Sequence, residues 1–222
     1  MNTYPVQLNL NGSLCVVVGG GRVGERKVRS LLDSGAQVRL VEPRDSAPAC
    51  RLAGIERIAR CFEPQDLAGA RLVFAASDDS EVNSTVAELC RKQGLLCNRA
   101  DDPTGGDFSL PAQLRRGDLL MTVSSNGAHP GFSAALRDRL SADYDESWTA
   151  IAALARVLRR RRLTPVEAET YNRKVLQVLQ DRRLPGLFAS RNIAGIESVL
   201  REFLGHDFPT EEIESLLPTE SS

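Results

Sequence analysis

The chain has no long hydrophobic run and no excess of charge of either sign. Its longest apolar stretch near the start, Leu14 to Val18, is far shorter than the ~20 residues of a membrane span. No Lys or Arg precedes this stretch, as a secretory leader would require, so we expect a cytoplasmic protein without membrane association. The 28 Lys and Arg against 29 Asp and Glu give a net charge of −1, which excludes a globally basic binder of nucleic acid.

Cysteine and histidine are few, and neither forms a pattern that builds a site. The cysteines are an odd set with no close pair, at positions 15, 50, 61, 90 and 97. This spacing matches neither a disulfide framework nor a thiolate zinc site, and the chain has only two histidines. We expect reduced thiols and no stable metal site.

Apolar strands and amphipathic helices alternate over about the first 110 of the 222 residues. Strands are predicted at 14–18, 38–41, 72–76 and from 95, and helices at 23–32 and 82–90, closed by Gly35 and Gly94. Strand, helix, strand with short connections is typical of βαβ units and a mostly parallel, doubly wound sheet. The partly alternating segment Tyr4–Leu10, followed by the turn pair Asn11-Gly12, also predicts a hairpin with the first strand.

The pattern changes near Pro111. One more strand is predicted at 119–123, followed by a glycine-containing loop over 124–131 and a short helix through Phe132 and Leu140. Beyond Asp143 only helical periodicity remains, with helices predicted around 148–158, from a capping box at Thr164–Glu167 to 179, and over 193–203. The fold class is therefore α/β, with an all-helical C-terminal part.

A glycine-rich turn lies between the first strand and the first helix. Gly19, Gly21 and Gly24 fit the G-x-G-x-x-G pattern, in which the first glycine allows a tight turn. The second lets the backbone approach a pyrophosphate, and the third permits close packing of helix and strand. Arg22 and Val23 open the helix whose N-terminus points at the anion, and Arg22 can reach the pyrophosphate. The sequence therefore predicts a Rossmann-like dinucleotide-binding domain.

Glu42 follows the second strand, 18 residues after the last glycine of the motif. A carboxylate at this place accepts hydrogen bonds from the adenosine ribose hydroxyls and repels a 2′-phosphate, which favours NAD over NADP. Two alternatives stay open: Glu42 is only a solvated strand end, or Arg44 receives a 2′-phosphate instead.

Two further clusters come at the ends of later strands. Ala75–Asp79 has small residues that let a nicotinamide ribose lie close to Ser77, while Asp78 or Asp79 either reaches the cleft or caps the next helix. The following strand ends in Asn98–Asp102. A carboxylate beside a nicotinamide is a candidate proton acceptor.

Taken together, the motifs resemble those of one enzyme family. They occur in the order Tyr4-Pro5, Val16–Gly21 with Glu25–Lys27, Ala75–Asp79, Asn98-x-x-Asp101, Phe108-x-x-Pro111-Ala112 and Val123-Ser-Ser-x-Gly127-x-x-Pro130. This ordered set is similar to that of the siroheme synthase family, which includes stand-alone precorrin-2 dehydrogenases and bifunctional enzymes that also insert iron into sirohydrochlorin.

The resemblance implies an NAD-binding Rossmann domain over 1–112, a dimerisation segment over 113–145 with α+β structure, a small helical domain over 146–222, and a homodimer. The implied reaction takes a hydride and a proton from precorrin-2 to give sirohydrochlorin. By the family motif, Asp101 is the principal catalytic residue and Ser125 lies near the tetrapyrrole. The sequence departs from the family at Asp102, which makes this neighbour an alternative base, and at His129, where a serine is common.

Precorrin-2 carries eight carboxylates, so its site needs cations. Arg115 and Arg137 are candidates for this role, and Arg137 has the alternative of a solvated position on a helix face. We expect burial or the neighbouring Asp102 to raise the pKa of Asp101 toward neutrality. Two functions compete with the dehydrogenase: a bifunctional enzyme that also inserts Fe²⁺, and an NAD-sensing regulatory module without catalytic activity.

Overall fold

The computed structural model describes residues 3–102, 104–160 and 165–217. The chain divides into two compact units, Met1–Leu110 and Pro111–Ser222. Each unit has its own hydrophobic core. The predicted division into three segments at 112 and 145 is a finer one and stays a prediction.

The first unit is a parallel sheet covered by helices. Its strands are β1 (Leu14–Val18), β2 (Gln37–Val41), β3 (Ile55–Ile58), β4 (Leu72–Ala75) and β5 (Leu96–Arg99). Its helices are α1 (Arg22–Asp33) and α2 (Ser80–Gln93), with 3₁₀ turns at Pro48–Arg51 and Pro64–Leu67. The strand order is β3-β2-β1-β4-β5, and all pairs are parallel. The predicted doubly wound α/β fold is confirmed.

The core of this unit has two layers, because strand side chains alternate between the faces of a sheet. Cys15 and Val17 of β1 pack on one face with Val28 of α1. Val16 of β1 packs on the other face with Val86 of α2. A strand buried on both faces reads as an unbroken apolar run, which is why the sequence of β1 predicts a central position.

The predicted hairpin at the N-terminus is wrong. Residues 4–10 form no strand, although Leu10 to Ser13 do make a turn, in which the Ser13 N–H donates to the Leu10 carbonyl at 2.9 Å. A hairpin needs a free edge on β1, and β1 pairs with β2 along one edge and with β4 along the other. The strands β2 and β4 therefore occupy both edges of β1 that a hairpin partner could use.

The second unit combines one hairpin with a set of helices. Its elements are β6 (Ala112–Arg116), β7 (Leu119–Val123), α3 (Pro130–Asp143), α4 (Ser147–Arg159), α5 (Pro165–Leu179), α6 (Leu184–Ala189), α7 (Ile193–Leu204) and α8 (Thr210–Glu214). β6 and β7 are antiparallel and joined at Gly117, whose φ of +54° suits a tight turn. Periodicity alone missed β6, α6 and α8, which are short, and the predicted capping residue Thr164 lies outside the described residues.

The C-terminal helices share a core built from their apolar faces. The fully buried side chains in it include Leu154, Leu158, Leu184, Ile196, Leu200 and Ile213. Trp148, the single tryptophan of the chain, packs against this core. Among the described helices, none is both long and apolar enough to cross a membrane.

Leu154→Ala should lower the free energy of unfolding by about 2–5 kcal/mol, because it leaves a cavity in a fully buried position. Leu176→Ala is the matched control, since the Leu176 side chain is 57% exposed and its loss should cost less than about 1 kcal/mol. Urea unfolding followed by Trp148 fluorescence measures both. Equal losses in the two variants would contradict the core assignment.

Candidate active site

The glycine-rich turn after β1 is built by two close backbone contacts. Gly19 has a φ of +101°, and a Cβ placed on it would lie 2.5 Å from the Ala76 carbonyl oxygen. A Cβ on Gly24 would lie 2.0 Å from the Gly19 carbonyl oxygen. Neither position accepts a side chain, so the first and third glycines of the motif hold α1 close to the ends of β1 and β4.

The middle glycine faces open space instead. Gly21 is the N-cap of α1, no side chain caps that helix, and a Cβ on Gly21 would meet nothing within 4 Å. The first-turn N–H groups of α1 thus have room in front of them for an anion, which the positive end of the helix attracts. Arg22 and Val23 are both exposed at the same turn. This arrangement fits the pyrophosphate of a dinucleotide.

Glu42 lies at the end of β2 and is 1% exposed. Its Oε2 accepts from the Gly20 N–H at 2.7 Å and from Arg44 Nη2 at 3.3 Å. Its Oε1 accepts from the Arg44 N–H at 2.9 Å and from Arg44 Nε at 3.0 Å. Burial alone would raise the pKa of Glu42, but the hydrogen bonds from Arg44 and Gly20 outweigh it and lower that pKa. The carboxylate is therefore charged and fully hydrogen-bonded.

A cleft of about 280 Å³ opens at the carboxyl ends of β1, β2 and β4, where ligands of open α/β sheets bind. Arg44 crosses it, since its Nη1 lies 2.8 Å from Asp78 Oδ2. The described residues that line the cleft are Val18, Gly19, Val41, Glu42, Pro43, Arg44, Cys61, Phe62, Ser77, Asp78, Asp79 and Val82. The glycine-rich turn thus lies at the same edge of the sheet as Glu42 and Ser77.

The two aspartates after β4 have different partners. Asp79 is the N-cap of α2 and accepts from the Glu81 N–H at 2.8 Å and the Val82 N–H at 3.3 Å. Asp78 pairs with Arg44, and the hydrogen bond from this guanidinium lowers the pKa of Asp78. The structure therefore resolves the alternative that the sequence left open: Asp79 caps the helix and Asp78 reaches the cleft.

Asn83 is a functional candidate that the sequence analysis missed. It is fully buried, accepts from the Ser77 N–H at 3.0 Å and donates through Nδ2 to the Ser77 carbonyl at 3.0 Å. Its side chain also contributes to lowering the pKa of Asp101. The signal was present, because Asn83 lies in the helical stripe with Val86 and Cys90, where an apolar residue is expected.

Asp101 follows β5 and forms a two-point ion pair with Arg99. Its Oδ2 lies 2.7 Å from Arg99 Nη2 and its Oδ1 lies 3.2 Å from Arg99 Nε. The expected rise of the Asp101 pKa is wrong: the hydrogen bonds from Arg99 lower it, against a smaller opposing effect of burial. Asn83 thus contributes to the electrostatics of the predicted catalytic residue Asp101 and is hydrogen-bonded to the predicted cofactor residue Ser77.

Asp102 has a local role. Its Oδ1 accepts from the Thr104 hydroxyl at 2.7 Å and from the Thr104 N–H at 2.9 Å, which is typical of an aspartate that stabilises a turn. These hydrogen bonds lower the pKa of Asp102. Both carboxylates are therefore charged at neutral pH, for different reasons.

The other candidate residues belong to the second unit. Ser125 and His129 lie in the loop before α3, where His129 is the N-cap and its Nδ1 accepts from the Phe132 N–H at 3.2 Å. The Ser125 hydroxyl accepts from Ser133 Oγ at 3.0 Å. Arg115 is exposed on β6, and Arg137 on α3 is bonded to Asp138 at 2.8 Å through Nε. His129 thus performs the capping task that a serine performs at such a position.

Comparison with known proteins agrees with this geometry. Residues 6–112 match a family model described as "Putative NAD(P)-binding". Siroheme synthase 3 of Aeromonas hydrophila is 38% identical over 164 residues, which are 72% of this chain and 35% of that protein. The siroheme synthase of Nitrosomonas europaea is 31% identical over 96% of this chain and 46% of its own length.

The chain is a relative of the siroheme synthases. It spans less than half of the length of these two relatives. A solved structure named "SirC, precorrin-2 dehydrogenase" aligns with 92% of this chain and all of its own, with a TM-score of 0.73 and 23% identity. That match establishes a shared fold, and the family model establishes that the first unit of this siroheme synthase relative is an NAD(P)-binding domain.

Gly24→Ala should destabilise the first unit by more than about 1 kcal/mol, because its methyl group meets the Gly19 carbonyl at 2.0 Å. Gly21→Ala is the matched control: its methyl enters open space, so the variant should unfold like the parent. The same methyl should weaken NAD binding at least tenfold by occupying the room in front of α1. Thermal unfolding and calorimetric titration with NAD measure the two effects, and normal NAD affinity in Gly21→Ala would contradict the pyrophosphate position.

Proposed function

We propose that this protein is a precorrin-2 dehydrogenase of siroheme biosynthesis, which oxidises precorrin-2 to sirohydrochlorin with NAD. The observation that carries the proposal is the position of Asn83, which is hydrogen-bonded to Ser77 at the nucleotide-binding edge and also contributes to lowering the pKa of the Asp101 carboxylate. A domain that only senses NAD has no need of such a carboxylate beside its cofactor. The names of the relatives and of the solved structure support the same reaction.

In this mechanism the described residues bind and orient the cofactor and take a proton from the substrate. The first-turn N–H groups of α1 hold the pyrophosphate, with Gly19, Gly21, Arg22, Val23 and Gly24 shaping the turn. Glu42 and Ser77 lie where the two ribose groups are expected. NAD, when bound, supplies the acceptor for the hydride.

Asp101 takes the proton that precorrin-2 loses. Because Arg99 holds the pKa of Asp101 below its ordinary value, the residue is in the carboxylate form that a proton acceptor needs. Asn83, which is hydrogen-bonded to Ser77, also contributes to lowering the pKa of this carboxylate. The substrate thus loses one hydride and one proton, and the product is sirohydrochlorin.

The second unit supplies the remaining proposed contacts. Ser125 and His129, with Arg115 and Arg137, are proposed to bind the carboxylates of the tetrapyrrole. For Arg137 this requires exchange of its partner Asp138. We also propose the three segments 1–112, 113–145 and 146–222, and a homodimer formed through the middle one. Sedimentation that shows a monomer at working concentration would remove the dimer.

A reducing compartment such as the cytoplasm suits this assignment, since all five cysteines are free thiols in the structure. Among the described residues, no three His, Cys, Asp or Glu side chains are grouped as a metal site. Iron insertion is tested separately, by following siroheme absorbance after Fe²⁺ is added to the reaction product without oxygen.

The direct test incubates the protein with NAD and enzymatically produced precorrin-2 and follows NADH together with the sirohydrochlorin spectrum. Asp101→Asn should lower the turnover at least about 100-fold, the loss expected for a general base, while NAD affinity is kept. Asp102→Asn is the matched control and should stay within a few-fold of the parent. The reverse pattern would assign the base to Asp102, and no NADH from the parent would refute the proposed function.

Arg99→Gln should raise the pKa of Asp101, because it removes the cation that stabilises the carboxylate. A base works only when deprotonated, so the acid limb of the kcat/KM profile should move to higher pH in this variant. The ¹³C chemical shift of the Asp101 carboxyl, titrated by NMR, measures the same change without substrate. An unchanged acid limb beside a shifted NMR titration would mean that another group limits the rate.

A further inference from the structure

The cleft beside Glu42 holds more negative than positive charge. Its described lining contains three carboxylates, Glu42, Asp78 and Asp79, and one cationic side chain, Arg44. NADP differs from NAD by a phosphate on the adenosine ribose, and an arginine near the end of the second strand is what accommodates that phosphate in this fold. Discrimination between the two dinucleotides therefore depends on what Arg44 is bonded to.

Glu42 has no acceptor position left. An ionised carboxylate offers about four lone-pair positions, and four N–H groups of Gly20 and Arg44 occupy them. A ribose hydroxyl or a phosphate that approaches Glu42 must displace one of these donors. The Gly20 N–H is held in the backbone of the turn, whereas the Arg44 side chain is 52% exposed. Arg44 is thus the donor that can move.

Asp78 holds the other side of the same guanidinium. Arg44 uses Nε and Nη2 on Glu42 and Nη1 on Asp78, at 2.8 Å. Glu42 comes after β2, and Asp78 after β4, so the guanidinium joins two loops across the cleft. A 2′-phosphate that binds Arg44 competes with Asp78 for the same guanidinium, and it also meets the negative charge of that residue.

We propose that Asp78 is a specificity-determining residue, which makes the protein select NAD against NADP by holding Arg44 across the adenosine cleft. The inference rests on the proposed use of NAD. It differs from the assignment of selectivity to Glu42 alone, because the charge of Glu42 is already compensated by Arg44. The residue that excludes the phosphate is then Asp78, on the loop that lies across the cleft from Glu42.

The test measures the affinities of NAD and NADP by calorimetry, together with 5′-AMP and adenosine 2′,5′-bisphosphate as shorter probes. Asp78→Asn keeps the shape of the side chain and removes its charge, and the substitution should leave the fold intact because the Asp78 side chain is 74% exposed. This variant should improve the affinity for NADP relative to NAD about fivefold, the upper size for a partly exposed ion pair. The gain should shrink at high salt.

Asp79→Asn is the matched control. It removes the same charge from the next residue and the same cleft, but Asp79 caps α2, a task that asparagine also performs. In Asp79→Asn the affinity for NADP relative to NAD should change less than twofold. Arg44→Gln combined with Asp78→Asn should lose the gain, since no guanidinium remains for the phosphate.

The outcomes separate this inference from the proposed function. Normal NAD binding with an unchanged ratio in Asp78→Asn, or equal gains in Asp78→Asn and Asp79→Asn, would overturn the inference and leave NAD use intact. Equal affinity of the parent for NAD and NADP would overturn it as well. A parent that binds neither dinucleotide would overturn the proposed function and this inference together.

Discussion

The close approach of three backbone segments at the end of β1 is the constraint on which the site depends. The chain leaves β1 at Gly19, passes against Ala76 after β4, and turns into α1 so tightly that Gly24 lies against the Gly19 carbonyl. Because side chains are excluded from both contacts, the first turn of α1 is held at the carboxyl edge of the sheet. Glu42, Ser77 and Asp79 then line one cleft with Gly19 because their strands end at that edge.

Carboxylates held by arginine are the second property of this edge. Glu42 is hydrogen-bonded to Arg44 and Gly20, Asp78 is paired with the same Arg44, and Asp101 is paired with Arg99. Each of these carboxylates has a pKa below its ordinary value, so the edge stays ionised at neutral pH. An anionic ligand therefore meets carboxylates whose cations are already in use, and binding depends on N–H groups of α1 and on partner exchange by arginine.

The second unit has a separate core and brings its own set of polar groups. The helices pack around Leu154, Leu200 and Ile213, and the loop before α3 is closed by hydrogen bonds among Ser125, His129 and Ser133. His129 illustrates how a departure from a family pattern can preserve a local task. Its ring nitrogen caps α3 in the way that a serine hydroxyl does.

Local patterns in the sequence were sufficient for four of the five strands of the parallel sheet and for the glycine turn, since each of these elements is indicated by residues within a few positions of one another. They did not determine the N-terminal segment, because a hairpin at β1 competes with β2 and β4 for the same hydrogen-bonding edges. They also missed the role of Asn83, and predicted the pKa of Asp101 in the wrong direction although Arg99 is only two residues away. Only the tertiary structure decided which cation each carboxylate holds, as between Arg44 and Asp78, 34 residues apart, because ion pairing depends on distances that the order of residues does not contain.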